Sequence, residues 1–461
     1  MSQPSSLPDL ALFQEAAGAV LADPSRLLPP LTGVSIDTRT LKPGDLFVAL
    51  PGDRFDGHTF IAKAIELGCA GLLVQHLPDP LPEVPVLQVA DTLEAMTRVA
   101  AAWRLRVNPK VIAITGSAGK TSVKERVAAI LSREFRVHAT VGNLNNHIGL
   151  PLTLLRMPSS TQILVAELGM SAPGEIAHLA AIVKPDIGVI TSIHPAHLGS
   201  FASLEGIARA KAELLPALGK TGYAVLPAGG NYAELLAALA EGPAFTFGDH
   251  PQAFARLLSR SIDGLNQSLT ARIGNHEFHL ELSGCGEHHA LNALAAATTA
   301  ELAGASPEAI VQGLSACRLP PGRGGIRQGP NGWIVIDDTY NANPGSVKAA
   351  IVALGNLPNR KVAILGDMLE LGELSAELHT SLLEPLLHND ITLLITTGKA
   401  MQALHEAAGR VAHMESLHRD NPEELIGLVA PLLHPDDAIL VKGSRGMRME
   451  RIVSHLTSPQ G

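Results

Sequence analysis

Between Val111 and Leu215 short apolar runs take turns with helical patterns. VIAIT (Val111 to Thr115), ILVAE (Ile163 to Glu167) and IGVITS (Ile187 to Ser192) read as strands, and Lys120 to Ser132, Ile176 to Val183 and Leu204 to Leu215 as the helices between them. Such alternation predicts parallel strands joined by helical crossovers, an α/β fold. The rhythm resumes after the turn LPPGRGG (Leu319 to Gly325), where WIVIDD, KVAILG, ITLLITTG and AILVKGS predict a second, Rossmann-like open sheet. Ahead of both lies a small α/β unit, with a strand at Leu46 to Leu50, a helix at Ile61 to Leu67 and a strand near Leu72 to Val74. Asp91 is expected to cap a helix reaching about Arg106. The expected domains are 1–89, 90–319 and 320–461. Within the second, residues 244–283 read as an antiparallel insertion with polar turns, followed by an alanine-rich helix from His288 to Gly304.

Composition narrows the partners of these 461 residues. A net charge of -9 and an aromatic content of 3% argue against nucleic acid, which calls for basic patches and stacking rings. The three cysteines, Cys69, Cys285 and Cys317, are scattered and odd in number, which suits a reducing, cytoplasmic setting rather than a disulfide framework. The first twenty residues do not read as a signal peptide, and no apolar run is long enough for membrane insertion.

The strand at Val111 runs into TGSAGKTS, with Gly116, Ser117, Ala118, Gly119, Lys120, Thr121 and Ser122. A phosphate loop aims successive backbone N–H groups and a helix N-terminus at one anion, with a lysine on the terminal phosphates and a hydroxyl on magnesium. The usual first glycine would fall at Ile114 and appears instead at Gly116, so this is a variant loop. It implies ATP or GTP and leaves the reaction open.

Three further features lie near strand ends or helix stripes. Glu167 ends a parallel strand, where a carboxylate is either a solvated acid or a magnesium ligand. His194 and His197 end the next. Lys211 shares an apolar stripe with Leu204, Ile207, Ala208 and Leu215. It reads either as a snorkelling lysine or as a buried amine of lowered pKa able to add CO2.

The loop together with these stretches resembles the Mur ligase family, the ATP-dependent amide-forming enzymes of peptidoglycan synthesis. GNLNNHIG, ARAKAEL, GEHHALNALAAA, PPGRGG, DDTYNANPG, GDMLELG and VKGSRG carry the likeness across nearly the whole chain. The resemblance implies a UDP-muramoyl-peptide module (1–89), an ATP-binding domain (90–319) and a domain for dipeptide binding and closure (320–461). It implies ATP contacts from Gly116 to Ser122, with Asn143, Asn292, Arg323 on phosphate and Asp338 on ribose. It implies two Mg2+ ions held by Thr121, Glu167, His197 and a carbamylated Lys211, and catalytic roles for Lys120, Lys211 and His197. Substrate contacts would come from Ser35, Asp37, Thr38 and Arg39 toward UDP, and from Asn145, Asn146, Tyr340, Asn341, Lys442 and Arg445, with Asp367 and Ser444 near the dipeptide.

No G-x-G-x-x-G occurs in the first 90 residues and no Asp-Asn-Pro-Arg signature is present. Among family activities this favours joining D-Ala-D-Ala to UDP-MurNAc-tripeptide through an acyl phosphate, by a monomer that closes about a linker near Leu319. The rivals are a folylpolyglutamate synthetase-like ligase and a P-loop ATPase without ligase activity. The third residue of the tripeptide, meso-diaminopimelate or L-lysine, is not legible.

Overall fold

A computed structural model of the chain describes residues 7–52, 55–195, 201, 203–263, 266–284 and 286–458. The chain forms two compact units. One takes in the chain up to Ile114 with Glu134–Met170 and Gly174–Ile187; the other holds Thr115–Arg133, Ser171–Pro173 and the chain from Gly188 on.

In the first unit, β1 (Val20–Leu21), β2 (Gly33–Ser35), β3 (Asp45–Val48), β4 (Gly71–Val74) and β5 (Val86–Gln88) form one sheet in the order β1-β5-β4-β3-β2. Only β1 runs antiparallel to its neighbour. Every residue of β3 and β4 is buried, as expected of parallel strands covered on both faces. Helix Thr92–Val107 starts where Asp91 Oδ1 accepts the N–H groups of Leu93 and Glu94, and ends at Asn108 in the left-handed region. Its buried stripe carries Met96, Val99 and Trp103. Arg104 donates to the carbonyls of Val183 (2.7 Å) and Lys184 (2.9 Å), supplying a cation and donors at the end of helix Glu175–Val183. Beside this helix pair run β6 (Lys110–Thr115), β7 (Val137–Ala139) and β8 (Ile163–Glu167), parallel in the order β6-β8-β7.

In the second unit, β9 (Ile187–Ile190), β10 (Tyr223–Pro227), β11 (Ala244–Gly248), β12 (Ala255–Asp263), β13 (Asn266–Ile273) and β14 (His276–Ser283) follow one another across a sheet. The antiparallel region expected at 244–283 starts only at β12, because β11 pairs parallel with both β10 and β12. Helix Glu287–Ala303 packs across β10 to β13, so β11 continues the covered parallel layer. The in-out alternation that marks a one-sided antiparallel sheet is clean in β13 and β14.

The last sheet holds β15 (Gly325–Gln328), β16 (Ile334–Asp338), β17 (Lys361–Gly366), β18 (Ile391–Thr397), β19 (Glu415–Arg419) and β20 (Ala438–Lys442), in the order β15-β16-β20-β17-β18-β19. All pairs are parallel except β15 with β16. One face buries Ile351, Leu354, Leu365 and Leu440, the other Trp333, Ile364, Val441 and Ile452. Two covered faces explain the unbroken apolar runs, and each fully buried Leu or Ile contributes roughly 1.5–3 kcal/mol. The carboxyl ends of β16, β17 and β20 open into loops at 338–343, 367–371 and 443–448, the edge where open α/β sheets take ligands. Among the described residues no helix is long and apolar enough to cross a membrane.

Candidate active site

The phosphate loop is built by two glycines at positions where a side chain meets both close contacts and an unfavourable backbone. Gly116 has φ +147, and a Cβ there would lie 1.9 Å from Thr191 Oγ1. Gly119 has φ +83, and a Cβ would lie 2.4 Å from Asn292 Oδ1. Position 114, where the common pattern wants glycine, is instead a buried strand isoleucine. The loop is fastened to the segment after β9: Ser117 N–H donates to Ser192 O (2.8 Å), Ala118 N–H to Ser192 Oγ (3.1 Å), and Ser117 Oγ donates to His194 O (2.9 Å). Helix Lys120–Leu131 follows directly, so its N-terminus faces the loop. Lys120 Nζ folds back onto Gly116 O at 2.8 Å.

Lys211 lies in helix Leu204–Ala212 and is 2% exposed. Burial pushes its ammonium well below the usual lysine range, and the charge of Lys120 lowers it further. The stripe read in the sequence is thus a buried face. His194 is pushed down by burial too. His197 lies outside the described residues.

Arg323 reaches the same loop. Its Nη2 donates to Thr121 Oγ1 at 2.9 Å, and its guanidinium carbon stands 3.5 Å from the centre of the Tyr340 ring, a cation–π contact. It sits between Gly322 (φ +78) and Gly324 (φ +76). Asp338 ends β16, and Lys442 Nζ donates to its Oδ2 at 2.6 Å and to Asn341 O at 2.9 Å. Lys442, 2% exposed, therefore holds the loop after β16. Asn343 caps helix Pro344–Gly355 through a capping box with Ser346. Asn341 Oδ1 accepts from Ala342 N–H. Asp367 Oδ1 accepts from Met401 N–H, and Ser444 Oγ from Leu369 N–H. Arg445 is largely exposed, 5.7 Å from the Tyr340 ring centre. Below this edge His288 and His289 pack ring to ring at 4.2 Å. Burial brings His288 down to about 4 and holds His289 well below its ordinary value.

In the first unit, Glu167 is 2% exposed, and Asn145 Nδ2 donates to its Oε1 at 2.9 Å. Asn146 Oδ1 accepts from Ile148 and Gly149, at the start of helix Gly149–Leu155, while Asn143 is exposed. Asn145 and Asn146 thus spend polar atoms on shaping their loop. Ser35, fully buried, donates to Asp37 O. The hydrogen bond from Arg39 holds the Asp37 carboxyl below its usual range, and Thr38 lies half-buried between them. The Arg39 guanidinium is open to solvent.

Thr121 and Glu167 offer oxygen donors, the chemistry magnesium prefers. In this structure the Thr121 hydroxyl oxygen accepts from the Arg323 guanidinium. The sequence reading missed Thr191 and Ser192 as loop anchors and His379 as a buried hinge of the third-sheet edge. Only a tertiary contact distinguishes them.

A variant phosphate loop, a buried lysine beside it and an arginine from a second sheet define a nucleotide-dependent P-loop protein of the ligase kind. The chain belongs to the Mur ligase family. The family's catalytic-domain model matches residues 30–104, the Mur ligase middle domain 114–300 and the Mur ligase glutamate ligase domain 322–445. A Bacillus subtilis (strain 168) protein named UDP-N-acetylmuramoyl-tripeptide–D-alanyl-D-alanine ligase is 36% identical over 448 residues, 96% of each chain. The crystal structure of MurF from Acinetobacter baumannii superposes with TM-score 0.88 at 31% identity, over 98% of this chain and 99% of that one. MurF ligase from Thermotoga maritima in complex with ADP does so with TM-score 0.81 at 27% identity, over 92% and 96%.

Proposed function

We propose that this chain joins D-Ala-D-Ala to UDP-MurNAc-tripeptide, consuming ATP and giving UDP-MurNAc-pentapeptide, ADP and phosphate. The observation that carries a phosphoryl-transfer ligase is Arg323 lying on Thr121 of the phosphate loop at 2.9 Å. The choice of substrates is supported by the full-length likeness to proteins of that name, and ATP by the ADP complex of a relative.

A carboxylate is a poor acyl donor. In the proposed reaction the terminal carboxylate oxygen of the tripeptide attacks the γ-phosphorus, the bond to ADP breaks, and an acyl phosphate forms. The free amine of D-Ala-D-Ala then attacks the carbonyl carbon. The tetrahedral anion expels phosphate, and the ammonium proton is lost to solvent. Three negative groups crowd together in the first step, so stabilising charge is the main task. Lys120 and Arg323 supply two cations, and backbone N–H groups from Gly116 to Ser122 hold the phosphates. Magnesium, held by Thr121, Glu167 and His197, would add charge on the phosphate oxygens when bound. Asn292 and Asn143 are assigned to the nucleotide, Asp338 to its ribose, and Ser35, Asp37, Thr38 and Arg39 to the UDP moiety. Tyr340, Asn341, Lys442 and Arg445 are assigned to the substrates at the edge of the third sheet.

Lys211 is assigned a carbamate. A neutral amine adds to the carbon of CO2 and releases a proton. That turns the repulsion between Lys211 and Lys120 into attraction and supplies an oxygen ligand for a second magnesium. The reaction is assigned to the cytoplasm and to a monomer.

Phosphate release by purified protein with Mg-ATP, the tripeptide nucleotide in both diamino forms, and D-Ala-D-Ala omitted or added tests the reading. Release that requires both substrates is expected, and names the diamino acid. Release independent of both would make the protein a plain ATPase.

A further inference from the structure

We propose that His379 is a positioning residue for the acceptor amine: it fastens the loop after β17, which itself holds the loop after β20, and so fixes Ser444 and Arg445. The proposal rests on the reading that D-Ala-D-Ala meets this edge of the third sheet.

His379 lies in the short helix Ser375–Thr380 and is fully buried. Its Nδ1 is 2.6 Å from Ser375 O, a carbonyl, so that nitrogen carries the proton. Its Nε2 is then a bare lone pair, and it accepts from Met368 N–H at 2.9 Å. The imidazole thus bridges a carbonyl on one side and an N–H on the other. No aliphatic side chain can do either, whereas the amide oxygen of a glutamine can still accept from Met368. Burial lowers the basicity of the ring, in keeping with the neutral form.

What the clamp holds is the functional edge. Met368 and Leu369 follow Asp367 at the carboxyl end of β17. Asp367 O accepts from Ser444 N–H at 3.0 Å, and Leu369 N–H donates to Ser444 Oγ at 2.9 Å. Ser444 Oγ in turn lies 3.4 Å from Ala342 O, in the loop that Lys442 ties to Asp338. Three loops at the ends of β16, β17 and β20 are therefore one network, and His379 is its buried end. Releasing Met368 frees the stretch between Asp367 and Leu369, the two residues of this loop that hold Ser444, and so lets Ser444 and Arg445 shift with it. A catalytic geometry loses rate or affinity steeply with such shifts.

The test is steady-state kinetics of H379A, H379L and H379Q, with KM read separately for the three substrates and folding checked by urea melts. For H379A and H379L the KM for D-Ala-D-Ala is expected to rise about tenfold, the equivalent of one buried hydrogen bond. The KM values for ATP and the tripeptide nucleotide should stay within about twofold. H379Q, whose Oε1 can accept from Met368, should recover most of the affinity. Folded variants with an unchanged dipeptide KM, or with all three KM values raised alike, would overturn the proposal. If H379A and H379L do not fold, S444A cuts the same network one step further on, and an unchanged dipeptide KM there overturns it as well. A wild-type enzyme that ignores D-Ala-D-Ala would sink the functional reading itself, a result separate from a wild type that uses the dipeptide while the variants match it.

Discussion

Arg323 Nη2 lies 2.9 Å from Thr121 Oγ1 while the flat of its guanidinium covers the Tyr340 ring at 3.5 Å. The two contacts demand different properties, a directed donor and a planar cation, and only arginine has both. R323A is expected to lower kcat/KM for ATP by about 10- to 100-fold, the range of a charge-assisted hydrogen bond. R323K keeps the charge and should recover only part. Phosphate release at varied ATP measures both.

Gly119 faces Asn292 so closely that an added Cβ would lie 2.4 Å from its Oδ1. G119A should lower the thermal midpoint through this clash and through left-handed strain of roughly 1–2 kcal/mol. N292A removes the obstructing amide. The double variant should therefore be more stable than the sum of the singles, with a coupling of about 0.5–3 kcal/mol. Strict additivity in calorimetry would refute the close approach.

His288 is buried with a folded pKa of about 4 against an ordinary 6.5, burial being the main cause. The unfolded chain therefore binds the proton first as pH falls. Stability should be full above about 6.5, decline between 6.5 and 4, and level off below, by an amount on the order of 3 kcal/mol. His289, lowered by burial and by its neighbour, acts in the same direction. Urea midpoints at pH 7 and pH 5 should differ in the wild type and differ less in H288N.

Burial and then the charge of Lys120 both disfavour an ammonium at Lys211. A native protein heavier by one CO2, lost on mild acidification, is the expected mass. K211R restores a cation but cannot form a carbamate, so it should be as inactive as K211A. An active K211R would remove the modification from the mechanism.

Asn145 donates through Nδ2 to Glu167 Oε1 and so restrains the rotation of the carboxylate. N145A should weaken magnesium binding by about tenfold. Mn2+ binding followed by paramagnetic resonance in the presence of an ATP analogue reads this without turnover.

Much of this was legible from contiguous residues. The run ILVAE is β8 to the residue, and the stripe through Ile207, Ala208 and Lys211 is a buried helix face, because both periods are local. The loop glycines were legible for the same reason. The short edge strands β7, β15 and β19 were not, since three to five residues that are mostly half-buried or exposed carry little apolar pattern. The parallel pairing of β11 was hidden because its partners lie across a helix-covered layer that polar turns on either side obscure. The pairing of Lys442 with Asp338 was hidden as well, since the two lie 104 residues apart, a distance no motif spans. The same holds for His379, whose acceptor role depends on which way the next loop folds.

The two glycines on either side of Arg323 are fastened: Gly322 O accepts from Tyr340 N–H at 3.0 Å and Gly324 N–H donates to Asp337 O at 2.8 Å. At Gly322 a methyl would press on the backbone nitrogen of Tyr340, and at Gly324 on the imidazole of His289. The guanidinium is thus seated like a stone in a bezel, gripped on both sides by backbone that has no room for a side chain. Exchanging these glycines for stiffer residues, a common route to thermostability, would here loosen the seat it was meant to tighten.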